Sequence, residues 1–263
     1  MRNPAIPVYV WCIPLLPLSL ALAIYLGGFQ NTSFLFINHF TQSLPDTLWS
    51  WLTFLGNGWG TFAIAFPLLL LAPRLLTAGI IGGAISAITS PLLKNYFDLP
   101  RPAGVLLDGS YHRLGEPLLH KAFPSGHTLT AFAIATALYF SCDKKHRKPL
   151  LLIFFAAALV GLSRSAFGAH WLTDILGGAG FGIWCGMLGA ILASHIPDQY
   201  LSIKGLWLRL VALAGVAAIY AHSTQVMDHE LNTPLQYASI AILLITLMFF
   251  IKAQFHPSLT KSE

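Results

Sequence analysis

Apolar positions in this chain come in runs too long for the helices of a soluble domain, and short polar stretches separate them. Runs near Val8–Gly28, Leu48–Ala72, Leu75–Leu93, Gly126–Cys142, Pro149–Ser165, Leu172–His195, Leu206–His222 and Leu235–Ile251 approach the about 20 residues that a helix needs to cross a bilayer. Backbone N–H and C=O groups cannot be left unpaired in hydrocarbon, so runs of this length predict helices. No period-two alternation competes with that reading. The expected fold is all-α, a polytopic transmembrane helix bundle of eight spans. Residues 1–197 would form a six-span core, and residues 198–263 a C-terminal two-helix extension.

Composition agrees with a lipid bilayer as the solvent. Of 263 residues, 56% are hydrophobic and only 10% charged, with a mean hydropathy of +0.67, outside the range of ordinary soluble domains. The net charge of +5 does not point to nucleic acid, because the cations are scattered between apolar runs and form no basic patch interleaved with aromatics. Three cysteines, Cys12, Cys142 and Cys185, lie in or beside predicted spans and imply no disulfide framework. The N-terminus, with Arg2 followed by an apolar stretch broken at Pro14 and Pro17, is expected to be an uncleaved first span.

Charge changes the picture most through its placement. With the N-terminus in the cytoplasm, Arg2, Arg74, Lys144, Lys145, Arg147, Lys148, Lys204, Arg209, Lys252 and Lys261 all fall inside. The outer connections Phe29–Thr47 and Ser223–Pro234 hold no lysine or arginine. Lys94, Arg101, Arg113, Lys121 and Arg164 are left outside, against the positive-inside bias. They gather around three motifs, so the expectation is a chemical site on the periplasmic face of the inner membrane.

The first motif is Lys94 with Arg101-Pro102, at the end of the third span and in a proline-restricted loop. Taken alone, these two read as cations snorkelling to a membrane surface. The second, Pro124-Ser125-Gly126-His127, opens the fourth span. Ser125 is either a helix cap or an anion ligand there, and the Gly126 N–H at a helix start favours an anion. The third, Ser163-Arg164 with His170 and Asp174, closes the fifth span and opens the sixth. His170 and Asp174 are four residues apart on one helical face, so the carboxylate can fix the imidazole tautomer and leave the other ring nitrogen free. His127, His170 and Asp174 could also be metal ligands, but the charges of Lys94, Arg101 and Arg164 would repel a divalent cation at close range. That balance calls for an anion, with phosphate the natural fit to arginine forks.

These residues, in the pattern K-x6-RP, PSGH and SR-x5-H-x3-D, resemble the type 2 phosphatidic acid phosphatase superfamily, which includes lipid phosphate phosphatases and, more distantly, vanadium haloperoxidases. Lys94, Arg101, Pro102, Pro124, Ser125, Gly126, His127, Ser163, Arg164, His170 and Asp174 match every specified position. The resemblance implies that His170 attacks phosphorus to give a phosphohistidine, that Asp174 orients it, and that His127 protonates the leaving oxygen. Lys94, Arg101, Arg164, Ser125 and the Gly126 N–H would hold the non-bridging oxygens, with no metal or other cofactor.

The expected activity is hydrolysis of a membrane lipid phosphate or diphosphate, with undecaprenyl diphosphate named first by analogy with bacterial relatives. Lipid-to-lipid phosphotransfer and a non-catalytic lipid-phosphate binder or transporter are the alternatives. The loop Ala103–Phe123, with His112, Arg113, His120, Lys121 and the leucines Leu106, Leu107, Leu118 and Leu119, is where specificity is expected, although a plain solvated loop is the preferred reading of its charges. Met227–Pro234, with Asp228 and Glu230, is read as a polar exterior loop.

Overall fold

The computed structural model describes residues 6–255, so Arg2, His256 and Lys261 lie outside the described residues. Among the described residues the structure is helical and has no strand. The α-helices are α1 (Leu15–Leu26), α2 (Gln30–Thr41), α3 (Asp46–Phe54), α4 (Gly58–Ala65), α5 (Leu68–Leu71), α6 (Pro73–Phe97), α7 (Gly126–Ser141), α8 (Arg147–Ala166), α9 (Leu172–Ser194), α10 (Leu206–Thr224) and α11 (Thr233–Phe255). Among the described residues, six helical segments are long and apolar enough to cross a membrane: Val8–Leu26, Pro73–Gly104, Lys144–Ala166, Leu172–Ser194, Asp198–Thr224 and Glu230–Phe255.

Two of the eight expected spans differ from that set. Leu48–Ala72 is not one helix but three, α3 to α5. The Asn57 side chain accepts from the Trp59 and Gly60 N–H groups and so starts α4 as a new helix. Pro67 then ends the next segment, because it has no N–H to continue the ladder. The fourth expected span, α7, has 16 residues, or about 24 Å at the usual helical rise. It is shielded by α6, α8 and α9, which pack around it. The connection read as Phe29–Thr47 also contains α2, whose buried face is Phe34, Asn38 and Thr41.

Helix α9 brings the two histidine motifs together. A Cβ at Gly178 would lie 2.7 Å from the Ser125 carbonyl, and one at Gly182 would lie 2.5 Å from the Leu129 carbonyl. At Gly186 it would come closer still to the Ala133 carbonyl. The i, i+4, i+8 glycine row is therefore a groove in which the backbone of α7 lies, and any side chain there would push the helices apart. Beneath the site, Phe34 stacks edge-on against both Tyr111 and Trp171.

The C-terminal pair, α10 and α11, packs on the broken second span. Ala63, Phe66, Leu69 and Leu76 share one apolar cluster with Leu208, Val211, Leu243 and Phe250. At the far end of α6 from Lys94, Arg74 donates to the Ala193 and Ile196 carbonyls and pairs with Asp198 at 2.6 Å.

Candidate active site

Six of the residues picked out by spacing line one cavity of about 490 Å³: Lys94, Arg101, Gly126, His127, Arg164 and His170. Each comes from a helix end or a tight loop on the same end of the bundle. Lys94 is in the last turn of α6, Gly126 and His127 open α7, Arg164 closes α8, and His170 precedes α9.

His170 is buried, and its Nδ1 lies 3.1 Å from Asp174 Oδ2. The same Asp174 oxygen accepts from the Trp171 backbone N–H at 2.9 Å, which fixes the carboxylate at the first turn of α9. With Nδ1 committed to the carboxylate, Nε2 is the free ring nitrogen. Burial first, then the charges of Arg101, Lys94, Arg164 and His127, hold the His170 imidazole well below its ordinary value, so the ring is neutral.

Two of the three cations are held by backbone carbonyls. Arg101 donates from Nε to the His120 carbonyl at 2.9 Å and from Nη1 to the Ala169 carbonyl at 3.2 Å. Lys94 Nζ donates to the Lys121 carbonyl at 2.7 Å. Arg164 lies over the Phe167 ring and donates from Nη1 to Thr53 Oγ1 at 3.2 Å, while its buried Nε has no partner among the described residues. Gly126 is beside Lys94, since a Cβ there would lie 4.0 Å from Lys94 Cε. Several N–H donors thus converge on a space shaped for an oxyanion.

Ser125 and Asp174 reach the cavity only through their neighbours. Ser125 is fully buried, and its Oγ accepts from the Thr128 hydroxyl at 2.9 Å, so here it caps α7 and sets where Gly126 and His127 begin. The loop over Ala103–Phe123 contributes more than a solvated strap. The His120 and Lys121 carbonyls hold the two cations, and Arg113, Glu116 and Leu118 line the cavity. His112 instead pairs with Asp46 at 2.8 Å.

One residue in the cavity was not expected. Asp228, placed by sequence in a polar exterior loop, turns its side chain inward until it is 14% exposed, and its Oδ1 lies 2.8 Å from His127 Nε2. Burial acts to raise its carboxyl, but the His127 ring, Arg164 and the hydrogen bonds from His127 and Asn57 outweigh this and hold it below the usual carboxylate value. The available signal was weak: an acidic residue in an outer loop on the side of the chain that carries the unexplained cations.

Residues 68–197 match the model of the PAP2 superfamily. A lipid A 1-phosphatase of Porphyromonas gingivalis is 38% identical over 68 residues, 26% of this chain and 15% of that protein. Phosphatidylglycerophosphatase B of Bacillus subtilis is 36% identical over 77 residues, 26% of this chain and 38% of that one. The chain therefore spans well under two thirds of the length of these curated relatives. Among solved structures, Aquifex aeolicus LpxE aligns with a TM-score of 0.52 and 29% identity, covering 61% of this chain and 94% of its own. A PAP2-type phosphatidylglycerolphosphate phosphatase from Bacillus subtilis aligns with a TM-score of 0.53 at 21% identity, covering 75% and 98%, a likeness of fold.

Proposed function

Given that the chain belongs to the PAP2 superfamily, we propose that it is an integral membrane phosphatase that removes phosphate from a lipid through a phosphohistidine intermediate. The observation that carries this reading is the single cavity holding a neutral His170 oriented by Asp174, a second imidazole at His127, and the cations Lys94, Arg101 and Arg164.

In the first step His170 Nε2 forms a bond to phosphorus as the bond to the leaving oxygen breaks, and that oxygen takes a proton from His127. The cations and the Gly126 N–H bind the three non-bridging oxygens as charge develops on them. In the second step water attacks phosphorus, gives its proton to His127, and the P–N bond breaks to return neutral His170 and free phosphate. Asp174 stabilises the positive charge on His170 while the phosphohistidine exists.

A lipid substrate is supported by a second cavity. An apolar cavity of about 720 Å³ runs between α4, α6, α7 and α10, from Asn57 and Thr130 to Leu138 and Trp207. Asn57 also donates to Asp228 at 3.1 Å, so the apolar cavity ends beside the polar one. In this reading the phosphate occupies the cationic site and the hydrocarbon chain lies in the groove. Undecaprenyl diphosphate, lipid A 1-phosphate and phosphatidylglycerol phosphate are the proposed substrates, presented at the periplasmic face of the inner membrane.

The test is phosphate release by the purified full chain from a panel of these lipids, alongside His170→Ala. The variant should retain lipid binding and lose turnover, with phosphoryl label that is both acid-labile and base-stable on the parent protein only. Turnover undiminished in His170→Ala would refute the reading.

A further inference from the structure

The loop that carries Asp228 joins α10 to α11, and it is fastened from several directions. Met227 is buried against Phe54, Ala221 and Leu235. The Met227 N–H donates to Gln236 Oε1, and its carbonyl accepts from Asn232 Nδ2 at 2.9 Å and from the His229 N–H at 2.8 Å. Asn232 is fully buried and accepts from Ser50 on α3 at 2.8 Å, while Trp51 donates to the Leu231 carbonyl at 3.1 Å. Between these anchors Asp228 adopts φ +63°, a left-handed conformation that is uncommon outside glycine and persists when the surroundings impose it.

Both carboxylate oxygens are engaged. Oδ1 meets His127 Nε2 at 2.8 Å and Oδ2 accepts from Asn57 Nδ2 at 3.1 Å. His127 is also confined from behind, because a Cβ at Gly56 would come within 2.9 Å of His127 Cβ. The cavity thus contains two imidazoles with a carboxylate apiece, His170 with Asp174 and His127 with Asp228. The two rings have opposite tasks. A nucleophile must be neutral, whereas a general acid must hold a proton beside Lys94, Arg101 and Arg164, whose charges disfavour another cation.

We propose that Asp228, contributed by the C-terminal helical hairpin, is a positioning residue for His127, holding its ring in place and stabilising the imidazolium that protonates the leaving oxygen. This rests on the phosphatase reading above. It also gives the α10–α11 pair a part in the reaction: it delivers a carboxylate to an acid that lies about a hundred residues earlier in the chain.

The test compares two substrates in the same sample of full-length protein in detergent. Dioleoylphosphatidic acid has an alkyl leaving group that needs a proton, while p-nitrophenyl phosphate releases a stable phenolate that does not. Asp228→Asn should lower kcat/KM on the lipid, which reports the phosphorylation step and not the shared hydrolysis of the phosphohistidine, by about 10- to 100-fold, a part of the ~10²–10⁴ that a general acid supplies. Its loss on p-nitrophenyl phosphate should be much smaller, and Asp228→Glu should recover part of the lipid activity. The ratio of the two rates does not depend on the folded fraction, so partial unfolding of the variant cannot imitate the result. Equal losses on both substrates, or no loss on either, would overturn the role of Asp228. His170→Ala separates the two readings: if it is inactive while Asp228→Asn leaves the ratio unchanged, only this inference fails, and if it is active the phosphatase reading fails with it.

Discussion

The backbone N–H of Ser125 donates to the carbonyl of Asp174 at 2.9 Å. That bond ties the start of α7 to the first turn of α9, so the helix that begins with Gly126 and His127 is registered against the turn that holds His170. The glycine row of α9 lets the two backbones come close enough for it. Neither motif alone specifies the distance between the two imidazoles. It is set by a backbone hydrogen bond and by the absence of three Cβ atoms.

Adding one of those atoms should therefore damage both stability and catalysis. Gly182→Ala places a methyl group 2.5 Å from the Leu129 carbonyl, a backbone atom that cannot move without shifting α7. The expected cost is ~1–3 kcal/mol, typical of overpacking. It should appear as a lower thermal midpoint in detergent together with a reduced kcat. An unchanged midpoint would mean that α7 and α9 tolerate more separation than this packing implies.

The acid limb of the pH profile should report His170. Burial and four neighbouring positive or protonatable groups hold its pKa well below 6.5, so the ring stays neutral, the form the proposed nucleophile needs, as pH falls through the ordinary histidine range. The sign for a variant follows directly. Lys94→Met removes a charge that disfavours the imidazolium, so the His170 pKa rises and the acid limb of kcat/KM moves to higher pH. A profile measured from acid to neutral pH checks this, and a limb that stays put or moves down would contradict it.

Arg164 offers a sharper test of the oxyanion site. Its Nη1 donates to Thr53 and its buried Nε has no partner among the described residues, leaving donor capacity for a bound anion. Lysine keeps the charge but loses the planar fork. Arg164→Lys is expected to lower kcat by ~10²-fold, the usual scale for one lost oxyanion donor. Inhibition by orthovanadate, which occupies a phosphate site as a trigonal bipyramid, should weaken in parallel. Wild-type kcat in this variant would remove Arg164 from the site.

What could be read in the sequence had a common physical basis. Lys94, Arg101, His127, Arg164, His170 and Asp174 are ionisable groups at the ends of apolar runs, where an unpaired charge is costly and therefore informative. Their spacing also carried the family pattern. Asp228 carried neither signal, because a carboxylate in a polar loop is ordinary until a fold turns it inward. Helix α2 was hidden because its buried face includes Asn38 and Thr41 among its contacts, which blurs the apolar stripe. Asn38 is buried to bond the Ser165 carbonyl and the His112 backbone, a role that only tertiary structure reveals. The break at Asn57 was visible in principle, as Asn-Gly followed by Pro67 is helix-stopping chemistry, but continuous hydropathy outweighed it.

Orientation can be checked with single cysteines in a background lacking Cys12, Cys142 and Cys185. Ser110→Cys lies in the exposed loop between α6 and α7, and Lys145→Cys in the turn between α7 and α8 at the other end of the bundle. A membrane-impermeant maleimide added to intact cells with a permeabilised outer membrane should label the first and spare the second. The reverse pattern would place the cationic cavity toward the cytoplasm and remove the positive-inside argument.

The apolar groove makes the last prediction. Ile134 lines it from α7, facing Gly79 and Gly83 on α6, where their missing side chains open the space. Ile134→Trp should fill part of the groove without touching the cationic end. If the hydrocarbon chain of the substrate lies there, a long chain loses more contact than a short one. The KM for a dioleoyl lipid phosphate should then rise by about tenfold, roughly the loss of two buried methylene groups at ~0.8 kcal/mol each, and the rise for a dihexanoyl analogue should be smaller. Equal changes for both chain lengths would mean that the tail runs elsewhere, along the outer surface of the bundle, and that the groove is filled by bulk lipid.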